Sequence, residues 1–124
     1  MLVNDIFSFF ESSNIGTIAF DLGLYLTNEV DYLPWSAFIS RMAFYLNLFE
    51  TTTTFAKMQA YSSDLSRAYY NKLGWIDNPV TDAWTDRLFR NNLVTFACRN
   101  NLAQCVSTAT GYFTNWINTG DFSM

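Results

Sequence analysis

The sequence predicts an all-α fold of about six helices, arranged as antiparallel helical hairpins in a short, curved, solenoid-like stack of the HEAT or armadillo kind. Apolar residues recur with the 3.6-residue period of an amphipathic helix, whereas the alternation typical of strands is weak. Half of the 124 residues are hydrophobic and 19% are aromatic, which is enough for a packed core. The segments between the periodic stretches are short, so consecutive helices should be antiparallel neighbours.

We predict helices at residues 1–12, 17–28, 34–50, 53–73, 82–99 and 102–118. Residues with special backbone preferences mark their ends. Pro34 suits the first turn of a helix, where its missing N–H costs no hydrogen bond, and it should keep Leu33 outside the helix. The run 51–54 offers threonine N-caps, and Thr81 should cap the helix that begins at 82. Gly74 stands where a left-handed residue ends a helix.

Apolar stripes and two tryptophans indicate where the helices pack. One stripe starts at Trp35, and a second comprises Leu102, Val106, Ala109, Phe113, Trp116 and Ile117. Trp35 and Trp75 each follow a chain-bending residue, Pro34 and Gly74, where a large aromatic ring can fill the gap between a helix and a loop. We therefore assign these four residues structural roles, and expect Trp35 to be buried between the third and fourth helices or against the second.

Composition and charge exclude several classes of partner. Only 15% of residues are charged, against about 25% in a typical soluble domain. One face of the chain should therefore be buried, either against the rest of a larger protein or in a homo-oligomer. The seven basic residues are scattered and the net charge is −4, so no nucleic-acid partner is expected. We expect one domain over residues 1–124, with no membrane-inserted segment and no signal peptide in its first residues.

Histidine is absent from the sequence, which excludes Ser-His-Asp and Cys-His catalysis and imidazole-based zinc sites. Asp82, Asp86 and Arg90 are each four residues apart on one predicted helix. We interpret them as a solvated face with an Asp86–Arg90 ion pair rather than as paired catalytic acids. Asp64 and Arg67 are interpreted in the same way. No catalytic, cofactor-binding or metal-ligating residue is therefore predicted.

The two cysteines, Cys98 and Cys105, lie seven residues apart in the segment ACRNNLAQC. This spacing fits neither a zinc knuckle nor a C-x-x-C redox motif. On one continuous helix the two Cα atoms would be about 10.5 Å apart, too far for a disulfide. A bond requires a helix break between them, which the residues RNN can provide because Asn tolerates the left-handed conformation. The residues alone leave two alternatives, a disulfide across a tight helical corner or two free core thiols.

Five segments follow one another along the chain: MLVNDIFSFF, LGLYLTNEVDYLPWSAF, YYNKLGWIDN, LFRNNLVTFACRNNLAQCV and FTNWI. In this order they resemble the C-terminal helical domain of the aminopeptidase N-type zinc aminopeptidases. The resemblance extends from Leu2 to Trp116. It departs from the family at Asn4 and Asp5, where two adjacent acids are usual, and at Asn101, which replaces a glycine.

The resemblance implies a role within a larger enzyme. The family's His-Glu-x-x-His zinc helix and Gly-Ala-Met-Glu-Asn loop are absent from this chain, so it would be a non-catalytic slice of the C-terminal domain, with zinc held by the parent's catalytic domain. The domain would wall the peptide-entry cavity and contact the catalytic domain and peptide substrates. The resemblance also implies a bonded Cys98–Cys105 pair and an extracellular or secretory-pathway parent that removes N-terminal amino acids.

A free-standing helical solenoid that binds other proteins, unrelated to proteolysis, is the alternative function. Such an adaptor would present a groove lined by exposed aromatic residues. The state of the cysteines separates the two hypotheses, because a bonded pair favours the secreted enzyme and free thiols favour the adaptor.

Overall fold

The computed structural model describes residues 5–8 and 18–120, and all regular structure within these ranges is helical. Residues 5–8 are helical. The helices that follow are α1 (Ile18–Gly23), a 3₁₀ helix (Leu24–Asn28), α2 (Tyr32–Leu48), α3 (Phe55–Leu73), α4 (Trp84–Arg99) and α5 (Ala103–Thr119). The all-α prediction is therefore confirmed for the described part of the chain, while the curved, solenoid-like arrangement stays a prediction.

The predicted helices from residue 34 onward agree with α2 to α5 within two residues at each end. The predicted helix at 17–28 is α-helical for six residues and then tightens into the 3₁₀ helix. Most of the predicted helix at 1–12 lies outside the described residues. Strong apolar periodicity therefore located the long helices, as expected for segments whose burial depends on one face.

The start of α2 differs from the prediction at one residue. The N-cap is Asp31, so Pro34 lies in the first turn as predicted, but Leu33 is helical. The prediction that Pro34 would exclude Leu33 was wrong. The proline ring conflicts mainly with the carbonyl four residues earlier, and here that residue, Val30, precedes the helix. The remaining pre-proline effect is only a preference, which burial of Trp35 in the core can outweigh.

Threonine capping was also predicted incorrectly. Thr54 is the N-cap of α3 but makes no capping hydrogen bond through its side chain, while the Thr52 hydroxyl donates to the Phe49 carbonyl at 2.8 Å. Thr81 does not cap α4, whose N-cap is Ala83. Gly74 does adopt a positive φ, 57°, and its N–H donates to the Tyr70 carbonyl at the end of α3. With ψ at −160°, however, Gly74 lies outside the left-handed helical region.

The main core lies between α2, α3 and α4. Trp35 is fully buried there, with its ring centroid 5.7 Å from those of Phe38 and Tyr69. The indole N–H donates to the Glu29 carbonyl at 2.9 Å, which satisfies the one polar group of the side chain. The predicted burial of Trp35 between the helices that became α2 and α3 is thus confirmed, and it fixes the segment before α2 against the core.

Helix α5 packs on α4 through a smaller cluster comprising Tyr70, Val94, Ala97, Leu102 and Cys105. Beyond this contact and that of Tyr112 with Trp75, most of its apolar side chains face outward. Val106, Phe113 and Ile117 are 40%, 57% and 62% exposed. The apolar stripe predicted along this helix therefore covers little of the core in this chain.

None of the described helices combines the length and hydrophobicity needed to cross a lipid bilayer.

Candidate functional site

The loop that joins α3 to α4, residues 74–83, is held in place by one buried arginine of α4. The Arg90 side chain is 8% exposed. Its Nη1 donates to Asp77 Oδ1 at 2.5 Å, its Nη2 donates to Asp82, and its Nε donates to the Leu73 carbonyl at 3.2 Å. A guanidinium offers five N–H donors in a planar fork, so a single side chain can bond the loop at both ends. Two of the bonded groups, the Leu73 carbonyl and the Asp77 carboxylate, lie in the YYNKLGWIDN segment, so this segment carries the end of α3 and the start of the loop.

Within the loop, hydrogen bonds in both directions between Asn78 and Asp82 close a turn. The Asn78 side chain accepts the N–H of Val80 at 3.1 Å, and Asp82 Oδ2 accepts the N–H of Asn78 at 2.8 Å. The backbone N–H of Asn78, and next the side chain of Arg90, lower the pKa of Asp82 below its ordinary value. The Asp82 carboxylate, which precedes α4, thus accepts hydrogen bonds from local donors and is not an unpartnered acid.

The folded protein should lose stability as the pH falls below about 4. Because Asp82 has a lowered pKa when folded, its contribution is complete above the unfolded value of 3.8 and is lost as pH falls through the folded pKa. Urea unfolding at a series of pH values from 6 down to about 3 measures how the free energy of unfolding depends on pH. In Asp82→Asn this pH dependence should be weaker, and an unchanged pH dependence would contradict the role of this carboxylate.

The predicted Asp86–Arg90 ion pair on a solvated face is wrong. Arg90 bonds the loop instead, and both residues are buried. Asp86 accepts the Tyr69 hydroxyl at 3.0 Å and lies 3.5 Å from the Lys72 ammonium, both on α3. Burial and this hydrogen bond raise the pKa of Tyr69, which keeps the hydroxyl a donor at neutral pH. The face of α4 that carries Asp86 therefore packs against α3. The Arg67–Asp64 pair, at 2.6 Å, is exposed as predicted.

Cys98 and Cys105 are joined by a disulfide across the corner between α4 and α5, with Cα atoms 5.1 Å apart. The break between them is a left-handed residue, Asn101, at φ 59°. The Asn101 N–H donates to the Cys98 carbonyl and the Leu102 N–H to the Ala97 carbonyl, at 3.1 and 3.0 Å. These two bonds form a Schellman motif, in which Asn101 takes the left-handed position that glycine usually occupies.

Replacing both cysteines with serine should lower the free energy of unfolding by about 2.5 kcal/mol, the chain-entropy value for so short a loop. Helix content should change little, since the Schellman hydrogen bonds do not involve the sulfur atoms. Urea unfolding followed by circular dichroism measures both quantities. Reductant should destabilise the wild type by a similar amount and leave the double variant unchanged. Free thiols in the unreduced, denatured wild type would contradict the assignment.

Trp75 connects the loop to two helices. Its indole N–H donates to the Tyr70 hydroxyl of α3 at 2.8 Å, and its ring lies 5.4 Å from that of Tyr112 on α5. Gly74 and Trp75 lie in the chain between Leu73 and Asp77, two residues that Arg90 bonds. The pair Pro34 and Trp35 instead anchors the start of α2.

Sequence patterns did not indicate the polar groove of about 470 Å³ between α2 and α4. Apolar atoms make up most of its surface, and we name it for its polar side chains, which are Ser40, Asn91, Asn92, Thr95 and Arg99. In the described part of the chain, the side chains of Asn91, Asn92 and Thr95 have no hydrogen-bond partner, so their amide and hydroxyl groups are available to a ligand. No motif marks such a surface, because it exists only where two helices cross.

Metal-binding potential is low within the described residues, where no group of three cysteine, aspartate or glutamate side chains is arranged to hold an ion. The carboxylates of Asp77, Asp82 and Asp86 are instead bonded to side chains that join the helices and the loop.

Comparison with known proteins identifies the family. The model of the ERAP1-like C-terminal domain matches residues 1–123. The chain belongs to this family. Aminopeptidase N of Bos taurus is 29% identical over 107 residues, covering 82% of this chain and 11% of the relative. Glutamyl aminopeptidase of Sus scrofa is 32% identical over 107 residues, covering 86% of this chain and 11% of the relative. Glutamyl aminopeptidase of Mus musculus is 29% identical over 101 residues, covering 81% and 10%.

The chain therefore spans about a tenth of the length of the relatives it matches. No solved structure matches it. The resemblance inferred from the five sequence segments is confirmed at the level of the aminopeptidase C-terminal domain.

Proposed function

We propose that this chain is a non-catalytic wall and scaffold within the C-terminal domain of a zinc aminopeptidase that removes N-terminal amino acids from peptides. The observation that carries the proposal is the family match over residues 1–123. The absence of histidine from the sequence supports a non-catalytic role, because the proposed zinc chemistry requires ligands and a general base that the catalytic domain would supply.

The surface that we assign to the cavity wall is the groove between α2 and α4. Its free Asn91, Asn92 and Thr95 side chains offer both donors and acceptors, the complement of a peptide main chain. The rigid disulfide corner lies at the end of the same helix, α4, and would hold the wall in position. Disulfides persist mainly in oxidising compartments, so the bond also supports an extracellular or secretory-pathway parent.

The exposed apolar face of α5, with Phe113 and Ile117 at its centre, supports burial against further parts of the parent. In the isolated chain the same face should promote self-association. Light scattering over a range of concentrations should therefore detect dimers or larger species, and a monomer at every concentration would count against this assignment.

Two observations test the parent's identity and the role of the chain. The open reading frame that encodes this segment should also encode an upstream His-Glu-x-x-His zinc helix. The purified chain, supplied with zinc and a panel of aminoacyl-anilides, should show no turnover and retain no zinc after dialysis. Saturable turnover that a chelator abolishes and zinc restores would overturn the non-catalytic role. A reading frame without the zinc helix would favour a free-standing binding module.

A further inference from the structure

A second groove, of about 480 Å³, lies between α1, the 3₁₀ helix and α3, with Phe49 at the end of α2. This volume falls within the range of about 300–1,000 Å³ typical of small-molecule sites. Its surface is almost entirely apolar. The apolar side chains that line it are Phe20, Leu24, Phe49, Met58 and Tyr61.

A close contact joins α1 to α3 at the wall of the groove. The Tyr61 hydroxyl donates to the Phe20 carbonyl at 2.6 Å, and a Cβ atom at Gly23 would lie only 2.3 Å from that hydroxyl. Burial, and next the charge of Asp21, raise the pKa of Tyr61 to about 12, so the hydroxyl stays protonated and bonded to Phe20 at neutral pH. Tyr61 therefore offers a ligand its ring rather than its oxygen, and the wall is formed before any ligand arrives.

Two opposite charges flank this apolar surface. Asp21 comes from α1 and Lys57 from α3, and both side chains are exposed. Within the described residues neither has an ion-pair or hydrogen-bond partner. A purely apolar ligand would leave both charges unused, and a simple organic anion attracted by Lys57 would be repelled by Asp21. A ligand that carries both an anion and a cation satisfies the two side chains together.

We propose that this groove binds a free α-amino acid with an apolar side chain. The ligand carboxylate would pair with Lys57, its ammonium with Asp21, and its side chain would lie against the rings of Phe20 and Phe49. Such amino acids belong to the class of product that the proposed parent would release. The inference itself rests on the groove and its charges, and does not depend on that proposal.

A ligand series tests the inference with the unmodified chain. Isothermal titration calorimetry should detect saturable millimolar binding of L-phenylalanine and L-leucine. Phenethylamine lacks the carboxylate, 3-phenylpropanoate lacks the ammonium group, and glycine lacks the apolar side chain. Each loss of a charge should weaken binding about two- to fivefold, because an exposed ion pair disappears. Glycine should not bind detectably. Absence of phenylalanine and leucine binding, or equal binding of 3-phenylpropanoate, would overturn the inference.

Variants then locate the site. Lys57→Met and Asp21→Asn should each weaken phenylalanine binding about two- to fivefold, because each removes an exposed charge, and Leu24→Trp should abolish it by filling the groove. Arg67→Met is the matched control, since it removes an exposed cation of α3 that does not line the groove, and binding should be unchanged. Equal affinities for the wild type and the two charge variants would place the ligand elsewhere and refute the site. The reading-frame and activity tests of the proposed function remain independent of either result.

Discussion

Replacing Arg90 with methionine should lower the free energy of unfolding by about 3 kcal/mol, the upper range for the loss of hydrogen bonds to charged groups, because the carboxylates left behind are only partly buried. Methionine keeps much of the apolar stem but removes all five donors. Asp77 and Asp82 would lose their shared cation, and the Leu73 carbonyl would lose its donor at the end of α3. Urea unfolding of both proteins at neutral pH measures the difference.

Arg87→Met is the control for this prediction. Arg87 also bonds Asp77, through Nε at 2.7 Å, but its side chain is 44% exposed. Exposed ion pairs contribute about 0–1 kcal/mol, so the control should change stability little. Equal effects of the two substitutions would show that burial of Arg90 is not what makes it important. In a background that already carries Asp77→Asn and Asp82→Asn, the effect of Arg90→Met should be smaller.

The Arg90 network also shows where inference from sequence fails. Spacing of four residues correctly places Asp86 and Arg90 on one face of α4, but it does not say what packs on that face. In the structure α3 covers it, and the tertiary partners Tyr69 and Lys72 take Asp86 while the loop takes Arg90. The pairing of residues four apart holds for solvated helix faces. A buried charge is costly unless it is paired, so on a buried face the tertiary partners decide which groups bond.

The disulfide corner was more predictable because the constraint is local. Seven residues on a continuous helix place the cysteines too far apart, so the chain had either to break between them or to leave them free. Asn101 is one of the few residues that adopt a positive φ at small cost, and it does so at this break. The prediction that Thr81 caps α4 was wrong because a hydrogen bond between Asn78 and Asp82 closes the loop before α4. The helix therefore begins after Thr81.

The two grooves could not have been predicted from the sequence. Asn92 of the polar groove and Phe49 of the apolar groove belong to no motif and follow no shared spacing. Each groove is formed by residues from different helices, so its lining depends on how those helices cross. The periodicity of a single helix carries no information on that crossing.

Trp35→Ala should lower the free energy of unfolding by about 3–5 kcal/mol, the range for truncation of a large buried aromatic residue. Trp35 is fully buried between Phe38 of α2 and Tyr69 of α3, and the surrounding rings cannot close the space without moving a helix. The substitution also removes the indole donor from the Glu29 carbonyl, which loosens the segment between the 3₁₀ helix and α2. Urea unfolding followed by circular dichroism measures the change.

Two further variants separate packing from hydrogen bonding at Trp35. Trp35→Phe retains a ring in the core but loses the hydrogen bond to the Glu29 carbonyl. Its free energy of unfolding should therefore lie between those of the wild type and Trp35→Ala. Trp84→Ala removes the same side chain from the start of α4, where it is 71% exposed, and should change stability by no more than about 0.5 kcal/mol. An unfolding midpoint for Trp35→Ala that matches that of Trp84→Ala would mean that the α2–α3 packing described here does not hold Trp35. The anchoring role of the Pro34–Trp35 pair would then be refuted.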